Sequence, residues 1–174
     1  MMPSSAEFRR LLRAVKIRKA VAGVNLFRRV AGYIPPEIMG KISEPKEYLI
    51  QTGKEGCYNI TSFVNEAVAQ SEIDEGMVFI YCPHTTAGIT ITENTDPHVT
   101  SDMLMGMTRA FPDHADYKHF EGNSFAHVKS SMMGCQMYLF VTGGWALLGP
   151  WQAIYFAEFD GPRERRFYVK VVEC

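Results

Sequence analysis

The order of strand-like and helix-like segments after residue 47 limits this chain to a small set of folds. Amphipathic helical stretches separate short apolar strand candidates in the middle of the chain, and three strand candidates follow one another at its end. This order lacks the regular alternation of a doubly wound fold. A complete (β/α)8 barrel needs about 250 residues, and the chain has 174. We therefore predict an α+β fold: a compact single domain with a large mixed β-sheet and short helices packed on it.

Individual elements follow from periodicity and from residues that begin or end helices. Asn59 is suited to cap a helix, and Asp96-Pro97 marks another helix start because proline fits the first turn. The predicted helices cover 60–70, the segment from 96 to before 112, and 126–133. The predicted strands are 48–52, 77–82, 89–92, 136–142, 151–159 and 166–172. Strand 77–82 is apolar on both faces, which predicts burial on both sides.

Charge divides the chain into a basic head and an acidic body. Residues 1–30 carry eight basic and one acidic side chain, whereas the remainder carries ten basic and eighteen acidic ones. An acidic body is unsuited to broad phosphate contact, so we expect no nucleic-acid partner. The head is predicted to be an amphipathic helix, which leaves open a membrane-surface or targeting segment, a packed helix or a simple tail. We assign 1–40 to a basic N-terminal extension and 41–174 to the folded domain.

The cysteines and the hydropathy indicate a reducing compartment and no membrane span. No run of 18 apolar residues is present, so no transmembrane helix is predicted, and membrane contact is expected only through the basic head. The four cysteines are far apart and form no C-x-x-C pair. Neither a thiolate zinc site nor a disulfide framework is therefore predicted. We expect reduced thiols and a cytoplasmic location.

Three of the five histidines occupy places where a scaffold can present a side chain. His84 follows a strand, His119 lies in a polar irregular stretch, and His127 begins a short helix. With thiolate pairs absent, imidazoles are the natural zinc donors, and three of them with one open position suit a catalytic site. Their spacing of 35 and then 8 residues matches no local zinc motif. Histidines held by backbone carbonyls are therefore the alternative.

Carboxylates and arginines offer further candidates. Glu93, Asp96 and Asp102 are positioned to orient a metal-bound imidazole or to act as general base, with helix capping and solvation as alternatives. Trp151 opens a strand and is a candidate pocket floor, although core packing is the commoner role. Arg165 lies near a turn that suits a phosphate or carboxylate. The common nucleotide and hydrolase motifs, such as the P-loop and H-E-x-x-H, are missing from the chain.

Together these segments resemble the YjbQ family over residues 47–173. The matching motifs, in order, are His84-Thr85-Thr86-Ala87, Glu93-Asn94-Thr95-Asp96-Pro97 with Asp102, Tyr117-x-His119 with Glu121-Gly122, residues 126–134, and residues 148–155 with Glu158. One departure is Gly149-Pro150-Trp151, where many members have Gly-Thr-Trp. A hydroxyl is therefore missing at this position.

The resemblance implies a homotrimer with a divalent-metal site near a subunit interface. Its ligands would be His84, His119 and His127, with zinc as the first choice and magnesium as the alternative. Family members are often labelled secondary thiamine-phosphate synthases, which join a pyrimidine-methyl pyrophosphate to a thiazole phosphate. A cation suits that leaving group, and Lys129, Trp151 and Arg165 would bind the small-molecule ligand. The alternatives are a non-catalytic trimer that binds a metabolite or metal, and a metal-dependent hydrolase.

Overall fold

The structure, a computed structural model, describes residues 40–113 and 116–174. The predicted N-terminal helix and extension lie outside these residues. In chain order, the elements are β1 Lys46–Gln51, β2 Gly56–Asn59, α1 Thr61–Ser71, β3 Gly76–Tyr81, β4 Ala87–Glu93, α2 His98–Ala110, α3 Ser124–Met133, β5 Gln136–Thr142, β6 Trp145–Ala146, β7 Gln152–Glu158 and β8 Glu164–Glu173. Within the described ranges, no helix is long and apolar enough to cross a membrane.

The described strands form two sheets in which all paired neighbours are antiparallel. The larger sheet has the order β1-β8-β3-β5-β6, and the smaller has the order β2-β7-β4. The α+β class is thus confirmed, but the prediction of one large mixed sheet is wrong. Helix α1 leaves β2 in the smaller sheet and leads to β3 in the larger one, and α2 and α3 likewise link β4 to β5. Because these helices join different sheets, they create no parallel neighbours within one sheet.

One apolar cluster joins α1 to strands of both sheets. Val64 and Val68 of α1 are fully buried, as are Val78 and Ile80 of β3 in the larger sheet and Phe156 of β7 in the smaller one. Burying a side chain of this kind contributes about 1.5–3 kcal/mol. The cluster therefore packs both sheets against α1, and this packing positions the strands that carry the polar residues of the candidate site.

The helix starts predicted at Asn59 and Asp96 are confirmed, α3 begins at Ser124, two residues before its predicted start, and a glycine ends it. The side-chain oxygen of Asn59 accepts the backbone N–H of Thr61 at 3.0 Å, and that of Asp96 accepts the N–H of His98 at 2.8 Å. Gly134 follows α3 with φ of 96°, a conformation that side chains with a Cβ rarely adopt. This sharp turn separates α3 from β5 and shapes the pocket described below.

The outward face of the larger sheet carries exposed aromatic side chains, which we call the aromatic sheet face. Phe79 and Tyr81 of β3 are 42% and 47% exposed, and Tyr138 and Phe140 of β5 are 65% and 66% exposed. Only alternate residues of β3 are buried. The prediction that β3 is buried on both faces is therefore wrong. Among the described residues, none covers its second apolar face.

Candidate functional site

Helix α3, the turn that follows it and the segment after β3 line a pocket of about 480 Å³, which we call the histidine pocket. Its walls are formed by His84, Thr85, His127, Ser130, Ser131, Gly134 and Cys135. The ring centroid of His119 lies 5.1 Å from that of His127, with the two rings nearly perpendicular. The fold therefore brings His127 next to His119 and into one pocket with His84, although 43 residues separate His84 from His127.

The three histidines do not form a closed metal-ligand set in one chain. Across residues 40–113 and 116–174, no group of three histidine, cysteine, aspartate or glutamate side chains is placed to hold a metal ion. A carboxylate oxygen of Glu121 lies 3.8 Å from Nε2 of His119. The adjacent pair of His119 and His127 is thus the part of the predicted set that best fits a metal, and the metal site itself stays a prediction.

His84 is held in a defined orientation by the neighbouring strand. Its Nε2 accepts the backbone N–H of Arg166 at 3.0 Å. Burial, and after it the positive charge of Arg165, lowers the pKa of His84 below its ordinary value. The ring is therefore neutral at pH 7, and its one proton must sit on Nδ1 because Nε2 is an acceptor. As positioned, His84 is a hydrogen-bond donor rather than a free metal ligand.

A buried ion pair supports the strand ends around His84. Nε and Nη2 of Arg165 donate to the two carboxylate oxygens of Glu158, both at 2.6 Å, and Nη2 also donates to the Thr86 hydroxyl at 2.8 Å. Thr52 donates a further hydrogen bond to Glu158 at 2.8 Å. Both charged residues are buried. Arg165, predicted to bind a ligand, is thus engaged with an internal carboxylate.

Lys129 is also committed to an internal partner. Its side chain is 1% exposed, and Nζ donates to Glu55 at 2.7 Å and to the Thr108 hydroxyl at 2.8 Å. The same Nζ lies 5.4 Å from the ring centroid of Phe125. These contacts tie α3 to α2 and to the β1–β2 loop. Lys129 does not line the histidine pocket, so the described contacts give it a structural role.

The other predicted site residues lie away from the pocket lining. Trp151 is 68% exposed, and its backbone carbonyl accepts the N–H of Asn94 at 2.8 Å. Asp96 caps α2, Asp102 is exposed on that helix, and Glu93 is half-buried at the end of β4. None of these four lines the histidine pocket. Their assignment to catalysis or ligand binding stays a prediction.

Sequence reasoning missed the serines and the cysteine of the pocket. Ser130 and Ser131 lie three and four residues after His127 on α3, a spacing that places side chains on one helix face. This spacing was the signal that could have identified them. The Ser130 hydroxyl donates to the backbone carbonyl of Ala87 at 2.7 Å and so ties α3 to β4. Cys135 follows Gly134 and is exposed at the pocket wall.

The fold and the site define a class of protein, namely an α+β domain with two antiparallel sheets and a pocket lined by histidine and serine side chains. A sequence profile of the family described as "UPF0047 protein YjbQ-like" matches residues 46–174. The chain belongs to this family. The resemblance inferred from the motifs is therefore confirmed, and the family's function is not established by these matches.

Similar proteins come from archaea and bacteria. The UPF0047 protein MJ1081 of Methanocaldococcus jannaschii is 47% identical over 127 residues, which cover 72% of this chain and 92% of that protein. A YjbQ/UPF0047 crystal structure from Clostridium acetobutylicum is 48% identical, covers 73% of this chain and 99% of its own, and superposes with a TM-score of 0.72. A protein of unknown function from Sulfolobus solfataricus, 25% identical, covers 76% of this chain and 99% of its own, with a TM-score of 0.73.

Proposed function

We propose that the histidine pocket binds a small polar ligand together with a divalent metal, with zinc as the first choice and magnesium as the alternative. The observation that supports this proposal most is the placement of His84 and His127 in one pocket, with the ring of His119 5.1 Å from that of His127. The pocket adds hydroxyl groups from Thr85, Ser130 and Ser131. Imidazole and hydroxyl groups together suit a ligand with several hydrogen-bonding atoms.

The three histidines have different roles in this proposal. His119 and His127 would hold the metal, because their rings already lie next to each other. His84 would donate a hydrogen bond from Nδ1 to the ligand, since its Nε2 is occupied by a backbone N–H. The bound metal would supply Lewis-acid polarisation of a ligand oxygen. Two histidines leave the metal short of the three or four ligands that zinc prefers, so further donors must complete the site.

A second copy of the chain is the proposed source of these donors, in a homotrimer. The aromatic sheet face supports this assembly, because monomeric proteins rarely expose a contiguous apolar patch of this kind. Its members Phe79 and Tyr138 lie opposite each other on neighbouring strands, with ring centroids 6.2 Å apart. Aromatic residues are also enriched in interfaces between subunits. We further infer a cytoplasmic location, since all four cysteines are free thiols.

Ligand binding is favoured over a thiamine-phosphate synthase reaction or a metal-dependent hydrolysis. Departure of a pyrophosphate group requires positive charge near it, and the side chains of Lys129 and Arg165 are neutralised by Glu55 and Glu158. A secondary synthase activity remains a proposal taken from the family resemblance. It is tested by measuring thiamine phosphate formation from the two heterocyclic phosphates. Loss of any turnover in Asp102→Asn with unchanged metal content would support an enzyme.

Elemental analysis of the purified full chain tests the metal proposal. We expect wild type, prepared without chelators, to contain a divalent metal, and His119→Ala and His127→Ala to lose it. His84→Ala should keep its metal and lose ligand affinity. His98→Ala is the matched control, because His98 is exposed on α2 outside the pocket. A metal-free wild type, or equal loss of metal in the control, would contradict the proposal.

Light scattering coupled to gel filtration tests the assembly. We expect a trimer for wild type and smaller species for Phe140→Glu, because a buried carboxylate without a partner opposes association. Met105→Glu is the control, since Met105 is 44% exposed on α2, away from the aromatic sheet face. A monomeric wild type would remove the second copy as a source of metal donors.

A further inference from the structure

Two cysteines that the proposed function does not use face each other beside the histidine pocket. Tyr81 pairs with Gln136 at the end of the β3–β5 ladder, so Cys82 and Cys135 are the next opposed residues. The backbone N–H of Cys82 donates to the carbonyl of Cys135 at 2.7 Å, which continues the pairing by one residue. The cysteines are 53 residues apart in sequence, and the ladder brings them together.

The two side chains point to the same side of the larger sheet. Along β3, burial alternates so that Ile80 and then Cys82 face inward, and both are 1% exposed. Along β5, Met137 and Leu139 pack on the core, and Cys135 shares their side by the period of two. Cys135 is nevertheless exposed, because it lies at the sheet end where the pocket opens. One thiol of the pair is thus open to solvent and the other is shielded.

The backbone separation suits a reversible disulfide. Opposed residues joined by backbone hydrogen bonds have Cα atoms about 5.5 Å apart, within the roughly 4.4–6.8 Å that disulfides span. Their Cβ atoms are typically about 5.5 Å apart, which exceeds the roughly 3.5–4.5 Å of a relaxed disulfide. Closing the bridge therefore requires a local shift of the strand ends. A strained and accessible bridge is easily reduced, as regulatory disulfides are.

We propose that Cys82 and Cys135 form a redox-sensitive thiol pair that closes reversibly to a disulfide and thereby reshapes the histidine pocket. Hydrogen peroxide is the oxidant that we assign. The Cys135 thiolate attacks one peroxide oxygen, the O–O bond breaks, and the second oxygen leaves as water after protonation. Cys82 then attacks the sulfenic sulfur of Cys135, the S–O bond breaks, and a second water leaves. Two thiols lose two electrons in total, and one peroxide gains them.

The disulfide would change the shape of the pocket at both of its cysteines. Cys135 is itself part of the pocket wall, so drawing its sulfur toward Cys82 removes that side chain from the wall. Cys82 lies two residues before His84, so a shift at the end of β3 also moves the imidazole that faces the pocket. The thiol pair does not depend on the proposed ligand or metal. Only its regulatory consequence concerns the same pocket.

Peptide mapping of the oxidised full chain tests the bridge. Reduced protein is treated with hydrogen peroxide, unfolded in guanidinium chloride, blocked there with N-ethylmaleimide, and digested without reductant for mass spectrometry. We expect a linked pair of peptides containing Cys82 and Cys135, which dithiothreitol separates again. Cys135→Ser should abolish the link, and it replaces an exposed side chain that folding does not require. The double variant Cys57→Ser/Cys174→Ser is the matched control and should retain the link.

Three results would overturn the proposal: four freely alkylated cysteines after oxidation, a link between any other pair, or irreversible oxidation of Cys135 without a link. Nuclear magnetic resonance then tests the consequence for the pocket. We expect the ring resonances of His84 to shift on oxidation and to return on reduction, while those of His98 stay in place. A confirmed bridge with unmoved His84 resonances would overturn the connection to the pocket.

Discussion

Replacing Glu158 by glutamine tests whether the buried ion pair holds the strand ends that position the histidine pocket. The side chains of Glu158 and Arg165 are 0% and 7% exposed, and two contacts of 2.6 Å join them. Glutamine keeps the size of the side chain but leaves the guanidinium buried without a counter-charge. Its amide also offers one acceptor oxygen where Glu158 offers two. Removing one partner of a buried pair costs about 3–5 kcal/mol, so we expect a loss of this size in Glu158→Gln.

Urea unfolding followed by circular dichroism measures this loss against a matched control. Glu72→Gln makes the same chemical change in the ion pair of Lys41 and Glu72, whose side chains are 49% and 83% exposed. Solvent screens such a pair, so its loss should hardly change the free energy of unfolding. Equal and small losses in the two variants would refute the reasoning, because they would mean that apolar packing alone holds the end of β7.

The pH dependence of the free energy of unfolding provides a second test of the Glu158–Arg165 pair. Burial raises the pKa of Glu158, but hydrogen bonds from Arg165, the backbone of Asp160 and Thr52 outweigh it and leave the pKa lowered. A lowered folded pKa means that the stabilisation is complete above the unfolded value of about 4.3 and is lost as the pH falls through the folded value. The stability advantage of wild type over Glu158→Gln should therefore be constant near neutral pH and shrink in acid. A constant advantage down to about pH 3 would contradict this linkage.

Three further predictions concern other parts of the domain. Lys129→Met should lower the free energy of unfolding by about 1–3 kcal/mol, since it leaves the partly buried Glu55 without its partner; unchanged urea unfolding would count against the tether. Gly76→Ala should cost more than about 2 kcal/mol, because its Cβ would lie 2.1 Å from the backbone oxygen of Val172; faster amide exchange in β8 is the check. Burial, and next the charge of Glu55, raises the pKa of Cys57 to about 11. At pH 8 about one thiol in a thousand is then ionised, so iodoacetamide should leave Cys57 unmodified while exposed thiols react.

Local signals predicted most elements, and the missing ones depend on distant partners. Asn59 and Asp96 mark helix starts through their own side chains, so the sequence is sufficient there. Strand β2 has only four residues, and its place is fixed by pairing with β7 about a hundred residues later, as in the pair Cys57 and Ala157. Strand β6 has two residues and exists through its pairing with β5. Neither carries a periodicity long enough to identify a strand.

The same limit applies to the charged residues of the candidate site. The family motifs indicated Lys129 and Arg165 as ligand-binding cations, but sequence spacing does not reveal that each is paired with a carboxylate elsewhere in the fold. Glu55 precedes Lys129 by 74 residues, and Glu158 reaches Arg165 across the β7–β8 turn. The sequence therefore does not distinguish a cationic side chain that binds a ligand from one that forms an internal ion pair. Only the fold separates the two roles.

A single chain leaves one apolar face of β3 exposed and gives the proposed metal too few donors. The proposed assembly accounts for both observations. The sequence of β3 is apolar on both faces, as in a strand buried on both sides, yet Phe79 and Tyr81 are exposed. The adjacent rings of His119 and His127 give a metal two donors where zinc prefers three or four. A partner packed on the aromatic sheet face would explain why β3 is apolar on its outer side, and a partner near the pocket would supply the missing donors. If Phe140→Glu yields monomers that also lose metal, one interface serves both needs; if it yields monomers that keep metal, the donors come from within the chain.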